Sequence, residues 1–106
     1  MDKLCLEVGG KELPCRLTMG AMLLFKRNMG KDVGKVFQQM ADKGEADLED
    51  VLMLMWCCIV CACKADGVEF GMDFDTFNCH ITPDDVSAWN KILAEQNKEK
   101  KSEVKP

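Results

Sequence analysis

The sequence predicts an α+β domain, mainly α, with an N-terminal β-hairpin followed by four to five helices around one central apolar helix. Three observations carry this expectation. Residues 1–17 alternate apolar and polar side chains on either side of Gly9-Gly10, the pattern of two half-buried strands joined by a tight turn. Val33, Val36, Phe37, Met40 and Ala41 fall at i, i+3, i+4, i+7 and i+8, the stripe of an amphipathic helix. Residues 51–63, VLMLMWCCIVCAC, contain no charge and no conventional polar group, so a helix formed there is apolar on every side and must be surrounded.

A two-residue Gly-Gly turn suits the hairpin because both central residues can take positive φ. It pairs Val8 with Lys11, Leu6 with Leu13 and Leu4 with Cys15. Leu4, Leu6, Val8, Leu13, Cys15 and Leu17 then share one face, with Cys5, Glu7, Glu12 and Arg16 on the other. Pro14 falls opposite Cys5 at a non-hydrogen-bonded pair, where an edge strand tolerates the missing N–H.

Thr18 is the expected N-cap of a first helix, MGAMLLFKRNM, which Gly30 ends. The amphipathic helix follows and closes at Gly44. The central helix starts near Asp47, with Glu49 and Asp50 near its positive end, and runs to about Ala65 before Asp66-Gly67 breaks it. A turn and a short helix started by Asp73 are expected in VEFGMDFDTFNCH. TPDDVSAWNKILAEQ has Thr82 as cap, Pro83 at the first helical position and Asp85 in the first turn. Val86, Trp89 and Leu93 mark its inner stripe, with Ile92 at the edge. Residues 1–95 are therefore one domain, with the hairpin over 1–17 and helices over 18–95. Residues 96–106 lack an apolar pattern and read as a flexible charged tail. No internal repeat occurs.

A chain of 106 residues fits one core. Residues 1–95 carry 10 Lys/Arg against 16 Asp/Glu, and residues 96–106 carry 4 against 2. An acidic body with a short basic end is poorly suited to phosphate backbones, so nucleic-acid binding is not expected. The opening MDKLCLEVGG has no basic segment leading into an apolar core, so no secretory signal is expected. A thirteen-residue apolar run falls short of the ~20 residues a spanning helix needs, so no membrane partner is expected.

The seven cysteines raise the alternatives of a zinc or a redox protein. Seven is odd, and four of them lie in the central helix beside a rich apolar core, which disfavours a disulfide scaffold. WCCIVC resembles a thioredoxin-type motif, but its C-x-x-C pair, Cys58 and Cys61, lies well inside the helix. The helix dipole that lowers a reactive thiol's pKa acts at the N-terminus instead. At about 100° per residue, Cys63 points away from Cys57, Cys58 and Cys61, so one helix cannot gather all four around one ion. Cys79-His80 could add ligands from a second element, but adjacent residues rarely turn both side chains inward. The cysteines read as reduced thiols acting as small hydrophobes, and no metal or cofactor is expected. DGVEFGMDFD lacks the ligand order of an EF-hand loop. No phosphate-binding glycine loop, zincin or nucleophile-elbow motif occurs. With one histidine and no tyrosine, an enzyme is not expected.

A binding surface is the remaining reading. Met19, Met22, Leu23, Leu24, Phe25 and Met29 give the first helix a wide apolar arc, with Lys26, Arg27 and Asn28 facing water. Flexible thioethers adapt to irregular partners. Met19, Met22, Phe25 and Met29 are the candidate partner-binding residues, with self-association or an apolar client as their use.

The order of elements, EVGGKELPCRL, then TMGAMLLFKRNMGKD, DLEDVLMLMWCCIVCACKAD and DFDTFNCHITPDDVSAWNKIL, resembles the tail assembly chaperones of long-tailed bacteriophages over residues 3–95. The cysteine density departs from that family. The resemblance implies a protein that coats the apolar, helical tape measure protein until tail tube subunits polymerise around it. It implies residence in the cytoplasm of the bacterial host, absence from the mature virion, and, as for many members of that family, a longer frameshifted product, with KEKK at 98–101 as the expected site. A structural tail or connector component is the alternative within that setting.

Overall fold

Strands β1 (Cys5–Val8) and β2 (Lys11–Pro14) pair antiparallel in the register read from the sequence, with Cys5 opposite Pro14, Leu6 opposite Leu13 and Val8 opposite Lys11. Gly9 and Gly10 take φ of 58° and 82°, which the two-residue turn requires. Leu6, Val8, Leu13 and Cys15 are buried on one face and Leu17 is half-buried. The computed structural model describes residues 5–44 and 46–104, with residues 97–104 as backbone alone. The expected Leu4–Cys15 pair lies outside the described residues.

Among the described residues five helices follow: α1 (Met19–Met29), α2 (Val33–Lys43), α3 (Leu48–Asp66), α4 (Phe74–His80) and α5 (Pro83–Val104). Local chemistry sets their ends. The Thr18 hydroxyl accepts from the Ala21 N–H at 3.1 Å, and Gly30 ends α1 at φ 74°. Asp73 caps α4 by accepting from the Thr76 N–H at 2.8 Å. Before α5, the Thr82 hydroxyl accepts from the Asp85 N–H at 3.4 Å while the Asp85 carboxylate accepts from the Thr82 N–H at 3.0 Å, a reciprocal capping box.

Helix α5 continues to Val104, beyond the boundary expected at 95. Residues 94–104 are mostly Glu, Gln, Lys and Ala, all good helix formers, and Gly and Pro are absent until Pro106. Gln96 also bonds back to the body: its side-chain amide accepts from the Leu17 N–H at 3.0 Å and donates to the Leu17 carbonyl at 2.8 Å.

Helix α3 is the centre of the molecule. Val51, Met53, Leu54, Met55, Cys57, Cys58, Ile59, Ala62 and Cys63 are all buried. Helix α1 lies antiparallel along it, with Gly20 near Cys61 at one end and Lys31, just past α1, on Asp50 at the other. The hairpin through β2, α2 and α4 cover further sides, while α5 packs on β1. The expectation that α3 is wrapped all round is corrected in one respect. Leu48 is 67% exposed, and Leu52, Trp56 and Val60, each one turn further on, are only half-buried. Seven-residue α4 is too short to cover the length of this stripe. At Trp56 the connection before α4 takes over: the indole N–H donates to the Met72 carbonyl at 3.1 Å, and Phe74 packs edge-on at 6.1 Å.

Two ion pairs tie α3 at its ends. Asp66 receives a two-point contact from Arg16, at 2.8 and 3.0 Å. Asp50 is 2% exposed and pairs with Lys31 Nζ at 2.7 Å. The sequence assigned Asp50 only to the helix dipole; the fold makes it a buried anion that needs a cation.

Candidate functional site: thiols inside, apolar surfaces outside

The four cysteines of α3 are placed by packing. Cys57, Cys58 and Cys63 are buried, Cys61 is half-buried, and all four are free thiols. Burial pushes Cys57 up to about 12 and Cys58 well above the usual thiol range. On β2's exit, Cys15 is likewise pushed up to about 12, first by burial and then by neighbouring Cys5 and Cys63. Cys61, the second member of the C-x-x-C pair, is also raised by burial. These directions oppose the lowered pKa of an attacking thiolate. The Trp89 indole N–H faces the Cys58 sulfur but forms no full hydrogen bond there. Among the described residues no three His, Cys, Asp or Glu side chains converge where a metal ion could be held. Cys79 and His80 are both exposed, and the His80 ring lies against the hairpin turn, 3.3 Å from where a Cβ on Gly9 would stand.

The apolar surface is more informative. Of the candidate partner-binding residues, Met19 is 72% exposed, Met22 and Met29 are half-buried, and Phe25 is fully buried. Phe25 is therefore a core residue in this fold and cannot touch a partner directly. A helix packed on α3 must spend one face on the core, and Ala21 and Phe25 form that face. Leu23, part of the apolar arc but not among the candidates, is 54% exposed and stands one turn from Met19. Lys26 and Arg27 share this outer face. Its centre is thus Met19 and Leu23, bordered by two cations.

A second apolar surface lies at the other end of α3. Leu48, Leu52, Ile81, Thr82, Pro83 and Val86 line a groove of about 270 Å³ between the starts of α3 and α5. Asp47, Glu49 and Asp84, all exposed, sit on the same first turns. The sequence signal was available: Leu48 and Leu52 are spaced i, i+4 on a helix already too apolar to be covered completely. A smaller hollow of about 200 Å³ is bounded by Val60, Cys63, Lys64, Val68 and Phe70. Among the described residues no helix is long and apolar enough to cross a membrane.

No protein-family model, curated protein or solved structure matches the chain.

Proposed function

We propose that this chain is a non-enzymatic assembly chaperone of the phage-tail type, which holds an apolar helical client, the tape measure protein, until tail tube subunits replace it. The observation that carries this reading is the outer face of α1. Met19 and Leu23 remain exposed on a helix whose opposite side, Ala21 and Phe25, is already buried in the core. Large apolar side chains left outside a well-filled core mark a surface meant to be covered. Met22 and Met29 at its borders can reshape themselves around a partner helix. The acidic balance of residues 1–95 keeps the loaded complex soluble. The proposed setting is the host cytoplasm, with the chain absent from finished particles.

The test is co-expression with the longest neighbouring open reading frame. The client should become soluble and co-purify with the wild-type chain. Met19→Glu combined with Leu23→Glu should abolish capture while leaving the thermal midpoint unchanged, because neither side chain is core. Unaltered capture by that double variant would move the contact elsewhere. Mass spectrometry of purified particles provides a second check: the chain present there in stoichiometric amount would make it a structural tail component.

A further inference from the structure

The groove between the starts of α3 and α5 combines an open apolar floor with carboxylates that the fold leaves unused. Leu48, Leu52, Ile81, Pro83 and Val86 line it, and Leu48 stands largely in solvent. Asp47, Glu49 and Asp84 are exposed on the same first turns. Asp47 occupies the N-cap of α3 yet makes no side-chain capping bond there. Before α5 the capping box is closed by Thr82 and Asp85, with Asp84 outside it. Lys31, the cation near Asp47 and Glu49, is already committed to Asp50 at 2.7 Å. The two helix starts offset the rim by about +0.5 charge each, less than three carboxylates supply. A negative field therefore lies over an apolar floor.

We infer that this groove is a docking site for a basic amphipathic helix of another protein. Apolar side chains at i and i+4 of that helix lie against Leu48, Leu52 and Val86, while Lys or Arg on its borders meet Asp47, Glu49 and Asp84. At about 270 Å³ the groove is smaller than the roughly 300–1,000 Å³ of pockets that enclose a drug-sized ligand. Side chains standing on a helix need no such enclosure, because they enter from one open side. The floor supplies affinity and the rim supplies selection. An acidic helix with the same apolar stripe would bring like charges together at the rim, which disfavours it. The floor is short beside a standard interface, so docking is weak and reversible. Met19 and Leu23 on the outer face of α1 take no part. The start of α1 lies beside Cys61, roughly 20 Å along α3 from Leu48, so this site stands apart from the proposed client contact.

The test titrates the full chain into a fluorescently labelled synthetic helix and reads anisotropy. The probe is an alanine-based peptide with leucines at i, i+4 and i+7 and lysines on both borders; its twin carries glutamates in place of the lysines. The lysine peptide should bind saturably and about tenfold tighter than its twin at low salt, with the gap narrowing as salt rises. Leu48→Ser, at an exposed position, should weaken the lysine peptide by about tenfold with an unchanged circular dichroism spectrum. Glu49→Lys combined with Asp84→Lys should reverse the preference, so that the glutamate peptide binds tighter. Should reversed charges at the helix starts unfold the chain, Glu49→Gln with Asp84→Asn should bring the two affinities together. Met19→Glu combined with Leu23→Glu should leave peptide binding unchanged, and Leu48→Ser should still capture the client, which separates failure of this inference from failure of the proposed function. Equal binding of both peptides, undiminished binding by Leu48→Ser, equal binding of a lysine peptide whose leucines are replaced by serine, or a wild-type dimer that Leu48→Ser dissociates would each overturn the inference.

Discussion

Gln96 and Leu17, 79 positions apart, are joined by both backbone polar groups of one residue: the Gln96 amide accepts from the Leu17 N–H and donates to its carbonyl, at 3.0 and 2.8 Å. The segment between the hairpin and α1 has no strand or helix partner at this point, so this one side chain supplies what secondary structure normally would. It fastens α5 across the exit of the hairpin.

Removing that amide should therefore matter more than a surface glutamine suggests. Gln96→Ala leaves two part-buried backbone groups without their partner and should cost about 1–3 kcal/mol in urea unfolding. A chain ending at residue 95 should lose a similar amount relative to one ending at residue 98. Equal midpoints for the two truncations would mean that water replaces the amide at no cost.

The Lys31–Asp50 pair should respond asymmetrically. Asp50 is buried and Lys31 partly exposed. Lys31→Ala strands a carboxylate inside the protein, whereas Asp50→Ala frees a lysine that can turn to water. The first variant should therefore show the larger fall in thermal midpoint. The hydrogen bond to Asp50 raises the Lys31 pKa above its usual value. Its contribution is thus full below pH 10.5 and is lost as pH rises through the folded value. Reversal of the order between the two variants would refute this account.

Thiol accessibility follows the packing. Of seven cysteines, Cys79 is exposed, Cys5 and Cys61 are half-buried, and Cys15, Cys57, Cys58 and Cys63 are buried. Titration of the native protein with an aromatic disulfide should show one fast thiol, removed by Cys79→Ser, two slower ones, and four that react only after unfolding. Modification of Cys58 as fast as Cys79 would rule out the buried α3 described above.

The same burial predicts alkaline destabilisation. The Cys15 thiol ionises near 9.0 in the unfolded chain but near about 12 in the fold. Its raised pKa gives a contribution that is complete below pH 9 and declines as pH climbs toward about 12. Well above pH 9 the slope from such a thiol approaches about 1.4 kcal/mol per pH unit. Denaturant midpoints measured from pH 8 upward should fall, and Cys15→Ala should flatten the fall even though it lowers stability at neutral pH. An identical slope in that variant would contradict the assignment.

The two sides of α1 should separate cleanly by mutation. Phe25→Ala removes a fully buried ring and should cost about 3–5 kcal/mol. Leu23→Ala, on the exposed side, should stay within about 0.5 kcal/mol. Glycines divide similarly. Gly34 lies within α2 with open space where a Cβ would go, so Gly34→Ala should stabilise by about 0.5–1 kcal/mol. Gly30 holds φ at 74°, so Gly30→Ala should destabilise by about 1 kcal/mol. Chemical denaturation of the four variants checks both pairs.

Local chemistry was legible in the sequence because its causes lie within a few residues. The Gly9-Gly10 turn fixed the strand register, Thr18, Asp73 and Thr82 started helices, and Gly30, Gly44 and Gly67 ended them with positive φ. Periodicity picked out Trp89 and Leu93 as inner residues. It also marked α3 as the element the others gather around, since no orientation of that helix can keep its apolar side chains out of a core.

What composition and spacing could not decide was how far neighbours reach. An apolar arc on α1 does not say which part meets α3; the docking angle made Phe25 core and left Met19 and Leu23 outside. An apolar α3 does not say where its cover ends; a short α4 left Leu48 exposed beside α5. Asp50 became a buried ion because the end of α1 placed Lys31 over it, and Gln96 became structural because α5 crosses Leu17. Sequence determines these elements through bonds between near neighbours. Which faces stay open depends on the packing of whole helices, a sum over residues far apart in the chain.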